Sequence, residues 1–429
     1  MTSFNSSQFD TFTFRTHPRG EFVKRTLAAA FRAVDPGDAV KRYLNANPLP
    51  SAKRIFVFGL GKAACAMTQA AADFVDPQDT LVITKHASPL DLEPVTVILG
   101  DHPIPGESSL RAGNAALDFL SQLTEDDLLL CLISGGGSAL MTSPLVPLDD
   151  LQVLTSALLR CGATIAEINT LRRHLDRLKG GGLARHANGA QIISLILSDV
   201  VGNSLEAIAS GPTAPASTTQ SDAIAIIEKY DLHEKIPSSI IPSLGETLKP
   251  DNPVFKRVHN SIIASNLTAL EAIQKEVGQE GFKTKILNTE LQGEAREVGR
   301  KMASTLKSDL ESMRRPFCLL AGGETTVTIQ GNGKGGRNQE TVLGAVDELA
   351  GLKDVLLISI ATDGEDGPTD AAGAAAMGES AQRAESLGVF AADYLSGNDA
   401  YSYFDKLGDL IKTGPSGTNV NDLIIAFAF

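Results

Sequence analysis

Several short apolar segments of this chain lead directly into glycines or acids and then into helix-forming sequence. The segment LLLCLIS, residues 128–134, is apolar on both faces and is followed at once by three glycines. Residues 54–58 (RIFVF) lead into a GLGK sequence, and residues 192–197 (IISLIL) lead into Ser198 and Asp199. A strand that is apolar on both faces is typical of the interior of a parallel sheet. Because these strands alternate with helices, we predict an α/β protein with a parallel sheet and right-handed crossovers.

The length of 429 residues allows two or three domains, at about 150 residues for each domain. Residues 236–255 contain four prolines and little periodicity, so we predict one domain over residues 1–250 and another over 251–429. Further strands are predicted at residues 80–84, 95–99, 261–264, 284–287, 317–321, 325–330, 355–361 and 423–429. Helices are predicted at residues 22–34, 63–74, 107–123, 267–277, 294–313 and 339–349.

Charge and composition exclude several functional classes. The net charge is −13 and aromatic residues make up only 5% of the chain, which argues against nucleic-acid binding. Any anionic substrate therefore needs a local pocket of positive charge. No apolar run is long enough to span a bilayer, and the N-terminus lacks an apolar signal segment. The four cysteines are far apart, so we expect free thiols and a reducing, cytoplasmic location.

The first candidate site is the turn that contains Gly61 and Lys62. Its glycines would let backbone N–H groups at a helix start approach an anion such as phosphate. The sequence GLGKAA also fits the G-x-G-x-x-A pattern of dinucleotide-binding turns. That interpretation requires an acid at the end of the next strand, where this chain has Thr84, Lys85 and His86. A plain tight turn with a solvated lysine is the third alternative.

The second candidate site is the loop Ser134-Gly135-Gly136-Gly137-Ser138. Each ordered glycine costs about 0.5–1 kcal/mol relative to alanine, so three in a row need an explanation. A row of unobstructed N–H groups makes a good cradle for an anion. The alternative is a loop that packs closely against a neighbouring helix. A serine-nucleophile turn is disfavoured because Leu140 occupies the position of its last glycine.

Basic side chains mark two further segments. Arg173 and Lys179 lie in a basic stretch and could contact a carboxylate or phosphate, whereas a charged helix face is the better interpretation for Arg172 and Arg177. Arg337 and Asn338 begin a predicted helix after a glycine-rich turn. A cation there is disfavoured by the helix dipole, unless an anion lies between Arg337 and the helix N–H groups.

Acidic side chains follow two strands. Asp199 could take a proton from a hydroxyl group or hold Mg²⁺, or it could simply cap the next helix. Asp363 and Asp366 lie in TDGEDGPTD, a candidate site for Mg²⁺ or a general base, although turns and caps must explain most of these acids. Glycine-rich strand ends, two cations and carboxylates are together the parts of a phosphoryl-transfer site.

Seven motifs together carry a specific resemblance that covers the chain from about residue 22 to its end. They are HPIPGESSLRAG, LISGGGSALM, KGGGLA, SDVVGNSLEAIASGPT, AGGETTVTIQGNGKGGRNQE, TDGEDGPTDAAG and NDAYSYFDKLGDLIKTGPSGTNVNDL. These motifs resemble the glycerate 2-kinase family with a C-terminal MOFRL domain. The resemblance implies a larger Rossmann-like N-terminal domain, a smaller α/β C-terminal domain and an active site in the interdomain cleft. It also implies phosphorylation of D-glycerate at its 2-hydroxyl group by ATP, giving 2-phosphoglycerate and ADP, with Mg²⁺ or another divalent cation.

Matched by motif position, the resemblance implies that Lys62 and Arg337 are catalytic. It also places Asp199 and Asp363 at the family's SDV and TDG aspartates. Our hypothesis is that the ATP phosphates contact Lys62 and Arg337 while residues 134–138 hold an anionic group. Mg²⁺ would then bridge phosphate oxygens and either Asp363 or Asp199, and the other acid would orient the substrate hydroxyl.

The chain departs from the family pattern at three places. Asn203 replaces an aspartate, Asp176 and Arg177 replace a serine and an apolar residue, and Glu365 adds an acid. Family members are often labelled hydroxypyruvate reductase, so an NAD(P)H-dependent reductase is the alternative enzyme. A nucleotide-sensing module without catalysis is a third hypothesis. The oligomeric state, a homo-oligomer included, stays open.

Overall fold

Two six-stranded sheets organise the protein, and residues 4–429 are the part that the computed structural model describes. The contacts divide the chain into two compact units. The first unit is Pro36–Ile263, and the second combines the residues up to Asp35 with Ala264–Phe429. The boundaries of these units differ from those of the predicted domains, because the strand Val258–Ala264 belongs to the first sheet. The predicted domain boundary itself stays a prediction.

The helices and strands are numbered in chain order. The helices are α1 Phe12–Thr16, α2 Gly20–Ala33, α3 Pro36–Ala46, α4 Ala64–Ala71, α5 Glu107–Ser121, α6 Gly137–Leu140, α7 Leu148–Arg160, α8 Ile165–His174, α9 Gly182–His186, α10 Gln220–Lys229, α11 Ile240–Ser243, α12 Asn266–Gln279, α13 Ala295–Ser312, α14 Arg337–Leu349, α15 Ser380–Ser386, α16 Ala391–Ser396 and α17 Ala400–Leu407. The strands are β1 Ile55–Leu60, β2 Asp79–Thr84, β3 Thr96–Leu99, β4 Leu128–Ile133, β5 Gln191–Leu197, β6 Val258–Ala264, β7 Lys283–Leu291, β8 Phe317–Gly323, β9 Val355–Ala361, β10 Gly373–Met377, β11 Leu410–Ile411 and β12 Asp422–Ala428.

The first sheet has the strand order β3-β2-β1-β4-β5-β6, and its pairs from β3 to β5 are parallel. Strand β4 is buried at every position and lies between β1 and β5, as its two apolar faces predict. The strand order reverses between β1 and β4. In open α/β sheets, ligands bind at the carboxyl ends of the strands beside such a reversal. The Rossmann-like α/β prediction for this part of the chain is confirmed.

The second sheet is mixed, with the order β11-β10-β9-β12-β8-β7. Strand β12 runs antiparallel to both β8 and β9, whereas β7 and β8 are parallel. All seven residues of β12 are buried. Early residues complete this unit: α2 packs on α12, and Thr418 Oγ1 donates a 2.7 Å hydrogen bond to the carbonyl of Val34. The predicted smaller α/β fold is confirmed, with antiparallel pairs that the sequence patterns did not show.

One predicted strand is wrong. Residues 325–330 form no strand, and only Thr326 makes an isolated bridge, to Glu294. Side chains satisfy the backbone of this segment instead: Glu294 Oε1 accepts the N–H of Thr328, and Asn398 Oδ1 accepts those of Gln330 and Gly331. No strand was predicted for β10, whose GAAAM sequence has weak strand propensity.

Within residues 4–429, no helix combines the length and the apolar character that crossing a bilayer requires. The four cysteines are free thiols, three of them buried. This agrees with the expectation that the cysteines do not form disulfides.

Candidate active site

Two of the predicted loops meet where the strand order of the first sheet reverses. The N–H of Lys62, after β1, donates a 2.9 Å hydrogen bond to the carbonyl of Gly135, after β4. The N–H of Ala63 donates to Ser134 Oγ at 3.0 Å. Gly61 has a φ of +120°, a conformation that L side chains rarely adopt. The glycine turn and the Ser134–Ser138 loop therefore form one continuous site.

Each glycine of the second loop has a separate structural reason. A Cβ at Gly135 would overlap the carboxylate of Asp199, with the carboxyl carbon only 2.6 Å away. Gly136 has a φ of +85°. A Cβ at Gly137 would lie 2.8 Å from the Cβ of Ala209. Close packing thus explains part of the glycine run, and the same packing holds Asp199, after β5, against the loop.

The two serines of the loop bond within the protein. Ser134 Oγ accepts the Ala63 N–H, and Ser138 Oγ lies 2.7 Å from Ser210 Oγ. Ser134 is buried and Ser138 is half-buried. These hydroxyls fix the loop conformation, and the predicted contact between residues 134–138 and an anion stays a prediction.

The charges of three cations act on His102, which lies beside this loop. A Cβ at Gly136 would lie 3.3 Å from both His102 Cδ2 and Lys62 Cγ. Burial lowers the pKa of His102 to about 4, and the positive charges of Lys62, Lys85 and Arg172 lower it as well. None of the ion pairs within residues 4–429 includes these three side chains. We call Lys62, Lys85 and Arg172 the cationic cluster.

The sequence analysis interpreted Arg172 as part of a charged helix face, whereas the structure places it at the lining of a pocket. It lines this pocket with Ser138 and Thr142, and its Nη1 donates a hydrogen bond to Asn169 Oδ1 at 3.5 Å. Burial lowers the pKa of the Arg172 guanidinium, so a charge is held here at a cost in free energy. Helix α8 buries the apolar residues Ile168 and Leu171. Because Arg172 directly follows Leu171, this apolar stripe was the sequence signal that could have placed Arg172 at the edge of the buried face.

Lys179 has internal partners. Its Nζ lies 2.6 Å from Asp176 Oδ2 and donates to the carbonyl of Met141 at 3.1 Å, and its side chain is 3% exposed. Burial lowers the pKa of Lys179, and Asp176 opposes this shift. Asp176 also accepts from Thr142 Oγ1 at 2.6 Å. The amine therefore stabilises the wall of the pocket, and its predicted ligand contact stays a prediction.

Arg337 begins α14 in the second unit and is held by two carboxylates. Its Nε and Nη2 donate to Asp422 at 2.6 and 3.1 Å, and its Nη1 lies 3.0 Å from Glu324 Oε1. Burial alone would lower the pKa of Arg337, but Asp422, Glu324 and Asp366 raise it. A guanidinium has five N–H donors, so these contacts leave two for a ligand.

Asp366 is the anion at the start of α14. It accepts the N–H groups of Asn338 and Gln339 at 3.0 and 2.9 Å, and the Asn338 amide at 3.3 Å. Asn338 Oδ1 also accepts from Ser359 Oγ at 2.6 Å. Burial raises the pKa of Asp366. The expected ligand anion at this helix start is therefore replaced by a carboxylate of the chain, which caps the helix.

The acids fit a metal ion that arrives with a nucleotide better than a metal cage of the protein. Within residues 4–429, no three His, Cys, Asp or Glu side chains are grouped to hold a metal. Mg²⁺ is usually bound by one or two carboxylates together with substrate phosphates. Asp199 and Asp363 each follow a strand and suit that arrangement, although Asp363 Oδ1 also accepts the Glu365 N–H at 3.1 Å. Asp366 does not suit it, because both of its oxygens accept N–H groups.

Comparisons with known proteins cover almost the whole chain. A family model described as a domain of unknown function (DUF4147) matches residues 22–245, and the MOFRL family model matches residues 317–422. A glycerate 2-kinase of Pyrococcus horikoshii is 42% identical, over 95% of this chain and 96% of the relative. A relative from Agrobacterium vitis, provisionally named hydroxypyruvate reductase, is 38% identical over 94% of this chain and 93% of its own length.

A solved structure agrees with these relatives. The crystal structure of a glycerate kinase from Thermotoga maritima superposes with a TM-score of 0.88 at 37% identity, covering 95% of this chain and 99% of that chain. Both the sequence motifs and the fold are therefore shared over nearly the full length. The chain belongs to the glycerate 2-kinase family.

Proposed function

We propose that this protein transfers the γ-phosphoryl group of ATP to the 2-hydroxyl group of D-glycerate, giving 2-phosphoglycerate and ADP. The observation that carries the proposal is the cationic cluster of Lys62, Lys85 and Arg172 beside the reversal of strand order, in a protein of net charge −13. Ligands of α/β sheets bind at this position, and both substrates are anions. The family relationship supplies the reaction.

Lys62 contacts the phosphates of ATP in this proposal. Its side chain is exposed, and it lies in the turn between β1 and the N-terminus of α4. The partial positive charge of that helix end adds to the charge of the ammonium group. Catalysis of phosphoryl transfer is mostly positioning and charge stabilisation, and one well-placed cation contributes on the order of 10³ in rate.

Arg172 binds the carboxylate of glycerate. Its planar guanidinium matches a carboxylate with two parallel hydrogen bonds, and it has no carboxylate partner within the described residues that would compete. Ser138 and Thr142 line the same pocket. Asp199, packed against Gly135, orients the 2-hydroxyl group and accepts its proton as the new O–P bond forms.

The proposal includes a divalent cation, which would neutralise charge on the phosphate oxygens when it is bound. Asp363 or Asp199 would hold it. The motif match assigns Arg337 a catalytic role, and its two remaining N–H donors suit a phosphate oxygen. The proposed location is cytoplasmic, where ATP and reduced cysteines coexist.

A hydroxypyruvate reductase is the competing function, because one relative carries that name. NAD-binding sheets hold the ribose with an acid at the end of the second strand. Here β2 ends at Thr84 and the next residue is Lys85, a member of the cationic cluster. A lysine there disfavours NAD(H) but is compatible with the 2′-phosphate of NADP(H), so the test below includes both reduced nucleotides.

The test is a coupled assay of ADP release with D-glycerate, L-glycerate and hydroxypyruvate, followed by phosphorus NMR of the product. We expect turnover with D-glycerate and a 2-phosphate resonance. A 3-phosphate product would contradict the proposed regiochemistry. Oxidation of NADH or NADPH by hydroxypyruvate, without ADP release from glycerate, would replace the kinase with the reductase.

Lys62→Ala tests the assignment of the lysine. We expect kcat to fall on the order of 10³-fold with an unchanged melting temperature. Lys53→Ala is the matched control, since Lys53 is an exposed lysine just before β1. Wild-type turnover in Lys62→Ala would contradict the assignment.

A further inference from the structure

A second basic pocket lies on another side of α8, outside the proposed active site. Its volume is about 220 Å³, and it is lined mainly by residues from α8, from the turn that follows α8, from α9 and from residues 245–247. The adjacent residues Arg172 and Arg173 line different pockets. Successive residues of a helix point about 100° apart. The Asp176–Lys179 ion pair lines both pockets and forms the wall that they share.

The second pocket carries an excess of positive charge. Arg173, Arg177 and Arg185 line it, and none of them takes part in an ion pair within the described residues. Its two acids are already paired with lysines: Asp176 with Lys179 at 2.6 Å, and Glu246 with Lys249 at 3.9 Å. Three arginines of the pocket therefore form no ion pair within the described residues.

Arg173 is the arginine of this group whose burial costs the most free energy. It is 5% exposed, and its Nε has no hydrogen-bond partner. Its other donors bond to neutral oxygens, the carbonyl of Glu206 at 3.2 Å and the hydroxyl groups of Thr170 and Thr218 at 3.2 and 3.4 Å. Burial lowers the pKa of Arg173, and the charge of Glu206 opposes this shift without forming an ion pair. A buried charged group without a paired counterion is destabilising. A bound anion would offset that cost.

His186 lies near two of the three arginines. Burial lowers the pKa of His186, and the positive charges of Arg185 and Arg177 lower it further. Arg177 and Arg185 are exposed, so they can change conformation to meet a ligand without disturbing the core. A buried arginine and two exposed arginines around one pocket suit a compact anion with several oxygens.

We propose that this pocket is a second anion site that binds small phosphate-bearing molecules, either inorganic phosphate or a phosphorylated three-carbon acid. The site is separate from the cationic cluster and does not depend on the proposed kinase reaction. Because the Asp176–Lys179 pair is common to both pockets, an anion here contacts the same wall that borders Arg172. The phosphorylated products of kinases belong to this class of ligand.

Isothermal titration calorimetry of the full-length protein at constant ionic strength tests the site. The probes are inorganic phosphate, 2-phosphoglycerate and, as a monoanion control, acetate. All variants carry Lys62→Ala, which weakens anion binding at the active site. We expect Arg177→Ala combined with Arg185→Ala to weaken phosphate binding by at least about tenfold. Arg160→Ala, an exposed arginine of α7 outside this pocket, should leave the affinity unchanged.

Tighter binding of 2-phosphoglycerate than of phosphate would assign the site to a phosphorylated acid, and the reverse would assign it to free phosphate. Equal losses in the double variant and in Arg160→Ala would overturn the proposal. The proposal would also be overturned if acetate bound as tightly as phosphate.

Histidine resonances provide a measurement that does not depend on any arginine substitution. A bound anion opposes the charges of Arg177 and Arg185, so phosphate should raise the pKa of His186 in an NMR titration. The His186 signal is assigned with His186→Gln. If phosphate raises the pKa of His102 and leaves that of His186 unchanged, the anion binds at the active site only and the second site is refuted.

Discussion

Replacing Gly135 with alanine should displace Asp199 and reduce catalysis without unfolding the protein. The added Cβ would lie 2.6 Å from the Asp199 carboxyl carbon and 3.2 Å from Oδ1, and it would overlap Oδ2. Ordinary contacts between carbon atoms start near 3.5 Å, so the carboxyl group must move by about 1 Å. Gly135 is absent from the residues with positive φ, and alanine is therefore compatible with its backbone. A 1 Å misplacement in an active site can cost about 10²-fold.

A double-mutant cycle isolates this effect. The three nearest atoms to the added Cβ all belong to the Asp199 side chain beyond its Cβ, and Asp199→Ala removes them. We therefore expect Gly135→Ala to lower kcat about 10²-fold in the wild-type background and to have little effect in Asp199→Ala. Gly278→Ala is the matched control, because nothing lies within 4 Å of its added Cβ. Equal factors in both backgrounds, or unchanged kcat in Gly135→Ala, would refute the role assigned to Asp199.

Three further predictions concern single side chains. Arg172→Met should raise KM for D-glycerate about 10²-fold, since a charge-assisted hydrogen bond contributes about 1.5–3 kcal/mol; steady-state kinetics that show an equal rise in KM for ATP would contradict this. Asp422→Asn leaves Arg337 without its two-oxygen partner and should lower the free energy of unfolding by about 2–3 kcal/mol, and a urea midpoint equal to wild type would argue against it. Lys62→Met should raise the pKa of His102 above its value of about 4, because a positive charge is removed; an NMR titration without that upward shift would place Lys62 away from His102. Since the pKa of His102 in the folded protein lies below its ordinary value of 6.5, the unfolded chain binds a proton more readily and the protein loses stability as pH falls from about 6.5 toward 4.

The first sheet was predictable because its signals are local. LLLCLI has no polar face, so a central strand was its simplest interpretation, and β4 occupies that position. The mixed second sheet depended on contacts distant in sequence. Gly373 in β10 would overlap the carbonyl of Ser359 if it carried a Cβ, so close approach of neighbouring strands, rather than strand propensity, selects small residues there. The TTVTIQ segment has strand propensity, but Asn398 supplies acceptors that a sheet partner would otherwise provide.

The site was predictable to the level of motifs and less so to the level of side-chain partners. Glycines after β1 and β4 indicated loops near a ligand, and the structure joins those two loops through Lys62 and Gly135. Which cation of the basic stretch is left without a carboxylate partner depends on tertiary packing. Lys179 is paired with Asp176, whereas Arg172 has no such carboxylate. Asp422, the partner of Arg337, went unnoticed, although an acid at the start of an otherwise apolar strand was a signal for it.

The position of β12 affects the order in which the protein can fold during synthesis. The strand comes from residues 422–428, yet it lies between β8 and β9 in the interior of its sheet. The N–H of Thr13 also depends on a residue that comes much later in the chain, because it donates a 2.8 Å hydrogen bond to the carboxylate of Asp409. Domains generally fold as units while the ribosome is still translating. Residues 36–263 include every strand of the first sheet except the last residue of β6, whereas α1 and α2 precede α12, Asp409 and Thr418 in the chain and lack these partners until those residues have been synthesised.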